Sequence, residues 1–438
     1  MRALNQAAIH FYLGLVAFWG ALLLMTVHAS AARPMILLDQ SLKTQRIYLI
    51  AMNEDEIVYY DLQQRLQKRD LKQVVRLTTA TKNVFQLPDH LGMIEFIDGQ
   101  RITGKIKFRT PAAEGEGFYW ESMLGVERAI KNSGVFDERN KSGWTYTARH
   151  RRSIPVRLDD LRAASFSGPI QQYKNNQPQN DLVTLLNGEI LQGFVVGFEQ
   201  GKLQLEQDQD GLLNLNVDHL AELQLMQDQP EVQSQYVVNL TDGSRLYAHK
   251  LNVAKEVVYI TVSLTGQGED DLELPLTSIS QIDIQKHGYK ILPLHSLQVL
   301  AAKPAVVFGL THTPSWESGV LHLHAPASMR FELPSGAAYF SAEAQLDETQ
   351  HSDDDLRWAD MTIMLKHAEH NQKVVYPLNR REAKQILRAD VESEKWIEIV
   401  IDEGVNGPIM DRLRITNGKV LVYKPTKVEG LTDSGQLP

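Results

Sequence analysis

Three dipeptides set the frame for this chain. Asp98-Gly99 is followed by Ile102 and Gly104, Asn187-Gly188 by Leu191 and Gly193, and Asp242-Gly243 by Leu246 and Ala248. Each turn glycine therefore has an aliphatic residue at +3 and a Gly or Ala at +5. Asn-Gly and Asp-Gly between short, alternating, β-branched runs mark hairpins, because tight turns need positive φ angles that glycine adopts without strain. A glycine five residues later lets a strand curl sharply. From residue 40 onward this texture predicts a mainly β protein built from repeats.

The copies also close alike, with apolar residues three apart: Leu158, Leu161 and Ala164, then Val217, Leu220 and Leu223, then Leu276, Ile279 and Ile282. A step of three suits a 3₁₀ turn leading into a final strand. Leu71, Val74 and Leu77 repeat the closure after strand-like stretches at 46–50 and 57–60, so a degenerate first copy without the turn glycine is expected over 33–80. The others are placed at 81–168, 181–228 and 233–286. Because 89 residues separate Gly99 from Gly188 and 55 separate Gly188 from Gly243, the 81–168 copy is expected to hold an insertion, at 109–157. That stretch carries Trp120, Trp144 and Arg149-His150-Arg151-Arg152. Such a basic knot can grip an anionic group, although a solvated charge run is the commoner use.

With about 50 residues each and this glycine pattern, the units resemble small, strongly bent barrels of the Sm-like type. Barrels of that type that bind RNA would need a basic, aromatic-bearing loop at matching positions of every copy, and none is present. The chain also has 45 Lys and Arg against 54 Asp and Glu, a net charge of -9. Nucleic acid is accordingly not expected as a partner.

Residues 1–32 read as a secretory signal: Arg2, an apolar run from Phe11 to Val27, then Ala29-Ser30-Ala31-Ala32. Cleavage is expected after Ala31 or Ala32, which places the protein in the periplasm or outside the cell. The alternative is an uncleaved anchor, since the run sits at the lower limit for spanning a bilayer. No later stretch is apolar enough to span a membrane as a helix, so no membrane partner is expected after cleavage. Cysteine is absent, which removes disulfides, thiolate metal sites and cysteine nucleophiles together.

Residues 287–311, dotted with Pro293 and Pro304, are expected to form a connector to a final domain at 312–425, followed by a tail at 426–438. Segments 319–324, 328–333, 338–346, 361–367, 396–401 and 420–423 read as strands of an antiparallel sandwich. Here Gly319-Val320-Leu321-His322-Leu323-His324, Ser328-Met329-Arg330-Phe331-Glu332-Leu333 and Phe340-Ser341-Ala342-Glu343-Ala344-Gln345-Leu346-Asp347 resemble the NPCBM family of carbohydrate-binding modules. Ile399-Val400-Ile401-Asp402-Glu403-Gly404, with Gly407 and Asp411, is similar to the family's closing acidic loop. The resemblance covers about a quarter of the chain and implies a galactose-binding-like jelly-roll sandwich that takes sugar. Two departures stand out: Leu413-Arg414-Ile415 replaces the usual Trp-bearing segment, and the acidic turn is swollen over 347–355.

Sugar rings present apolar C–H faces and polar rims, so a binding site pairs an aromatic platform with polar side chains at its edge. The candidates are Trp316 and Trp358 as platforms, with His324, Asp402, Asp411 and Arg412 at the rim. The competing assignment puts His324 and Asp411 inside the sandwich, satisfying backbone groups. Glu206-Gln207-Asp208-Gln209-Asp210-Gly211 imitates half a Ca²⁺ loop, but Val217 stands where a bidentate Glu is required. With no G-x-S-x-G, H-E-x-x-H or phosphate loop, neither a cofactor, a metal nor an enzymatic activity is expected. Two functions stay open: a carbohydrate-binding protein acting on envelope or extracellular glycan, and a structural envelope protein whose repeats hold a protein partner.

Overall fold

The computed structural model describes residues 33–80, 87, 91–107, 117–122, 124, 129–130, 145–146, 152–170, 180–207, 211–227, 230, 234–264, 268–347, 359–367, 374–408 and 411–423. The expected signal segment, Trp144, residues 149–151, Trp358, most of the swollen acidic turn and the tail lie outside the described residues. Among those described, no helix is long and apolar enough to cross a membrane. The chain divides into a first unit ending at Ile284 and a second beginning at Gln285, which also takes Leu38–Thr44.

The first unit is four copies of one five-stranded pattern. The first copy comprises β1 (Arg33–Asp39), β2 (Thr44–Met52), β3 (Glu56–Tyr60), β4 (Leu66–Asp70), a 3₁₀ turn at Leu71–Gln73 and β5 (Val74–Thr79). In the second, β6 (Gly92–Phe96), β7 (Arg101–Lys107) and β8 (Gly117–Ser122) come first. The short pair β9 (Ala129–Ile130) and β10 (Thr145–Tyr146) follows, then β11 (Arg152–Arg157), a turn at Leu158–Asp160 and β12 (Leu161–Ser165). The third has β13 (Asp181–Leu185), β14 (Ile190–Glu199), β15 (Lys202–Gln207), β16 (Gly211–Asn216), a turn at Val217–His219 and β17 (Leu220–Gln224). The fourth has β18 (Tyr236–Leu240), β19 (Arg245–Ala254), β20 (Val257–Val262), β21 (Asp270–Pro275), a turn at Leu276–Ser278 and β22 (Ile279–Ile284).

In every copy the last strand returns to pair with the first, and each 3₁₀ turn buries its leading apolar residue, Leu71, Leu158, Val217 or Leu276. The three-residue step in the sequence is thus one turn residue and two inward positions of the strand behind it. The expected insertion at 109–157 needs correction, because β8 and β11 pair from Gly117↔Arg157 to Ser122↔Arg152 as the barrel's own third and fourth strands. Trp120 is fully buried there. Most of the extra chain lies in the β8–β11 connection.

Turn glycines 99, 188 and 243 sit at φ 86°, 85° and 86°. The glycine-free first copy makes the same turn with Leu42 at φ 56°, its N–H donating to the Asp39 carbonyl at 2.9 Å. A left-handed non-glycine residue costs about 1–3 kcal/mol, and burying a leucine returns about 1.5–3 kcal/mol. Leu42 is buried, so the two effects offset each other. At the +5 position, a Cβ on Gly104 would lie 2.4 Å from the Glu121 carbonyl oxygen, and one on Gly193 2.3 Å from that of Glu206.

The copies join in three ways, one of them β19 on β2 through Val253↔Met52 and Ala254↔Ala51. β12 pairs antiparallel with β17 through Ala163↔Gln224, Ala164↔Leu223 and Ser165↔Glu222. β22 pairs with β5 through Gln281↔Thr78, Ile282↔Leu77 and Asp283↔Arg76. In these last two, the third residue of one closure faces the third residue of another, so a local two-fold passes between equivalent positions. The second and fourth copies instead meet at their turns: Arg101 pairs with Arg245, Thr103 N–H donates to Ser244 Oγ at 3.0 Å and Thr103 Oγ1 to the Asp242 carbonyl at 2.7 Å. The spatial order is first, fourth, second, third, over one continuous apolar core.

The second unit is an antiparallel sandwich that starts earlier than the sequence suggested. β23 (Tyr289–Pro293) and β24 (Val299–Lys303) lie inside the expected connector, followed by the hairpin β25 (Ala305–Val307) and β26 (Leu310–His312). Pro293 and Pro304 end strands rather than mark a spacer. The remaining strands are β27 (Ser315–Glu317), β28 (Val320–His324), β29 (Ala327–Glu332), β30 (Ala337–Leu346), β31 (Asp360–His367), β32 (Val374–Asn379), β33 (Lys384–Asp390), β34 (Trp396–Asp402) and β35 (Arg412–Tyr423). One sheet runs β27-β28-β35-β30-β33 with β23 also on β35, the other β24-β29-β34-β31-β32. Leu321, Phe331, Phe340, Ile363, Ile399 and Leu413 fill the space between them. Mainly β construction with a jelly-roll-like sandwich is the fold class the residues predicted.

Candidate functional site

The richest polar constellation lies where β28 ends and β35 begins. Leu321, Leu323, Leu413 and Ile415 point into the core, so alternation puts His322, Arg412 and Arg414 on the opposite face. His322 stands across from Arg414, and His324 from Arg412. Gln345 of β30 pairs with Arg414, which brings Asp347 to the same corner, its N–H donating to the Arg412 carbonyl at 3.0 Å. Asp347 Oδ2 lies 3.5 Å from His322 Nδ1, its Oδ1 3.5 Å from Arg414 Nε, and Glu317 faces His322 Nε2 at 3.9 Å. This carboxylate is itself buried, and the imidazole and guanidinium it holds, 30% and 25% exposed, are the donors left to hydrogen-bond vicinal hydroxyls.

Beside it, the His312 ring stacks on His324 at 4.5 Å between centroids, 23° from parallel. His312 closes the β25–β26 hairpin opposite Ala305. At the hairpin tip Phe308, at φ 49°, is 82% exposed. Ala305 and Val307 pack inward with Ala327. An aromatic ring is thereby held out on a short arm whose base is stacked on the polar corner.

Beneath the corner, Asp411 is completely buried. Its carbonyl accepts from Ala325 N–H at 2.9 Å and its Oδ1 from Asp360 N–H at 3.2 Å. Burial pushes its carboxyl up to about 6, reinforced by the charges of Asp360 and Glu403 and opposed by the backbone N–H donors. Asp360 in turn accepts from Val405 N–H at 2.9 Å and Asn406 N–H at 3.3 Å, which pins the 403–407 loop. A Cβ on Gly404 would lie 1.5 Å from the Asp360 carbonyl oxygen, so that loop closes only with glycine there.

Four of the six expected residues, His324, Asp402, Asp411 and Arg412, collect at this end of the sandwich. Asp402, exposed at the end of β34, pairs with Thr362. Asp411 and His324 are buried, and His324 Nδ1 sits 2.9 Å from the Ala325 carbonyl, so both shape the loops from within. Trp316 is not at this corner: its ring packs edge-on to Phe331 at 6.3 Å and His295 at 6.1 Å. Its platform role is replaced by a place in the core's margin. Trp358 lies outside the described residues. Sequence reading missed Phe308, His312, His322, Asp347 and Arg414 as site members. Phe308 and Gly309 both sit at positive φ, but Phe-Gly is not among the dipeptides that announce such a turn, so only Gly309 hinted at a hairpin inside what read as a connector.

Among the described residues, no group of three or more His, Cys, Asp or Glu is placed to hold a metal ion. On the first unit, a groove of about 490 Å³ crosses the outer face of β19–β21, lined among others by Lys250, Asn252, Tyr259, Asp271 and Glu273.

No family model and no curated protein matches the chain. Solved structures similar to it include the CBM51 of a Clostridium perfringens GH95 in complex with methyl-galactose, at 12% identity and a TM-score of 0.23, covering 30% of this chain and 99% of that one. A second is the CBM51-2 and INT domains of Clostridium perfringens ZmpB in complex with GlcNAc, at 12% identity and TM-score 0.24, covering 50% of this chain and 44% of that one. A third is the tandem CBM51 modules of a family 98 glycoside hydrolase from Streptococcus pneumoniae, at 10% identity and TM-score 0.23, covering 44% and 89%.

Proposed function

We propose that this is an exported, non-enzymatic protein whose C-terminal sandwich binds carbohydrate at the β28–β35 corner. The observation that carries the reading is Phe308, an almost fully exposed ring on a hairpin whose base stacks through His312 on His324. A sugar's apolar face would rest on Phe308, while Arg412, Arg414 and His322 hydrogen-bond its hydroxyls and the buried Asp347 orients Arg414 and His322. The motif order resembling NPCBM modules supports the same reading. So open a platform gives weak binding, with Kd from about millimolar to micromolar, or about -4 to -8 kcal/mol.

Glycan-array screening of the full chain tests this. Binding to at least one glycan class, lost in Phe308→Ala with unchanged circular dichroism, is expected. No binding at millimolar sugar would end the reading and leave the second one, a structural envelope protein, which the matched pairing of barrels in the first unit favours. Mass spectrometry of the exported protein tests the compartment: a mature N-terminus at residue 32 or 33 is expected.

A further inference from the structure

The four barrels share a turn face, and among the described residues that of the third barrel pairs with no other barrel. The second and fourth barrels meet at Arg101 and Arg245, each two residues beyond its turn glycine. The equivalent residue of the third barrel is Ile190, two beyond Gly188. Ile190 pairs with Thr184 on one side, and β14 acquires its other neighbour, β15, only from Phe194 onward. Its outer edge at Ile190 is thus open in the same way that β7 and β19 are open where they meet.

The side chains of that face differ in kind. The second and fourth barrels carry Arg101 with Lys105 and Arg245 with His249 along the strand, where the third carries Ile190 and Phe194. Leu186 at the turn is 61% exposed, Ile190 48%, Phe194 51%, and Leu212, in one cross-strand row with Phe194 and Glu206, is 51% exposed. Four large apolar side chains on one contiguous face mark an interaction surface rather than scattered exposure. An open strand edge beside them supplies unpaired backbone groups.

We propose that this face is a self-association surface, by which the third barrel pairs with the third barrel of a second copy of the chain. The occupant follows from the chain's own geometry. Among the described residues, each strand ladder between barrels sets equivalent positions against each other: third closure residue against third closure residue, turn +2 against turn +2, and Val253 against Met52, each ten beyond its turn residue. Repeating the turn contact at Ile190 requires another barrel of this type presenting the same face. Ile190 against its own twin makes a two-fold, self-complementary interface that closes at the dimer.

The absence of cysteine from the chain gives a direct test. In Ile190→Cys, the two thiols of a dimer would lie on the axis, with Cα atoms about 5.5 Å apart as in a hydrogen-bonded antiparallel pair, inside the range for a disulfide. Under mild oxidation of the full chain, a disulfide-linked dimer is expected for Ile190→Cys. None is expected for Asp218→Cys, exposed on the 3₁₀ turn of the same barrel. Adding Phe194→Lys should suppress the cross-link at least tenfold with unchanged circular dichroism, and the cysteine-free chain should show a concentration-dependent dimer mass by light scattering. Cross-linking of Ile190→Cys no faster than of Asp218→Cys, or insensitive to Phe194→Lys, would overturn the proposal. So would a strictly monomeric wild-type chain, including one whose patch is taken by an unrelated protein.

Discussion

Ile282 and Leu77 face each other across neighbouring antiparallel strands, each the third apolar residue of its own barrel's closure. Ala164 and Leu223 repeat the relationship in the other pair of barrels. All four are buried, so these positions join two barrels as well as fill one.

Leu77→Ala should therefore damage a shared core. Both partners are fully buried, and a leucine-to-alanine truncation in such a place costs about 2–5 kcal/mol. Urea denaturation of the full chain should show that loss. Loss well below 1 kcal/mol would mean that the joint between β5 and β22 relaxes around the cavity.

Gly404→Ala is expected to open the loop over Asp360. Its Cβ would overlap backbone oxygen, which cannot rotate away, so the 403–407 segment must shift and release the Val405 and Asn406 bonds. Limited proteolysis should report faster cutting near residue 405, with the sandwich otherwise folded.

Stability should depend on pH through Asp411. Its folded carboxyl titrates at about 6, above the unfolded value near 3.9, so the native state holds the extra proton between those limits. Stability is then fully present below about pH 4 and falls as pH rises toward 6. Asp411→Asn should flatten that slope, measured as melting temperature against pH; an unaltered slope would place the titration elsewhere.

His367 Nδ1 and Glu394 Oε1 are 2.8 Å apart, both nearly inaccessible to solvent. Glu394→Ala leaves the imidazole buried without this partner, and stranding a buried hydrogen-bonding group costs about 1–3 kcal/mol. Calorimetry should show a large drop in the sandwich transition.

Much of the repeat architecture was legible because it rests on local chemistry. Gly99, Gly188 and Gly243 announce turns by their backbone demands, and the three-residue step from Leu158 to Ala164 follows from one 3₁₀ turn plus a one-residue register shift between Leu161 and Ala163 that returns Ala164 to the inner face. Leu42 escaped notice as a turn residue because its left-handed backbone is offset by burial, which no local pattern records. β8 and β11 were read as insertion because the chain between them is long. The site was harder. His324, Asp402, Asp411 and Arg412 were found through motif order, yet Asp347 and Arg414 join His322 only through register across β28, β35 and β30. Phe308 was hidden because prolines on either side of a hairpin look the same as prolines in a spacer.

Pairing through last strands has a consequence for how such a chain can grow or shrink. Each terminal ribbon has one edge inside its own barrel and the other on a mate, so deleting a single bead strands an orphaned edge in water. Shortened or lengthened relatives of this array should accordingly contain even numbers of beads, gained or lost as couples.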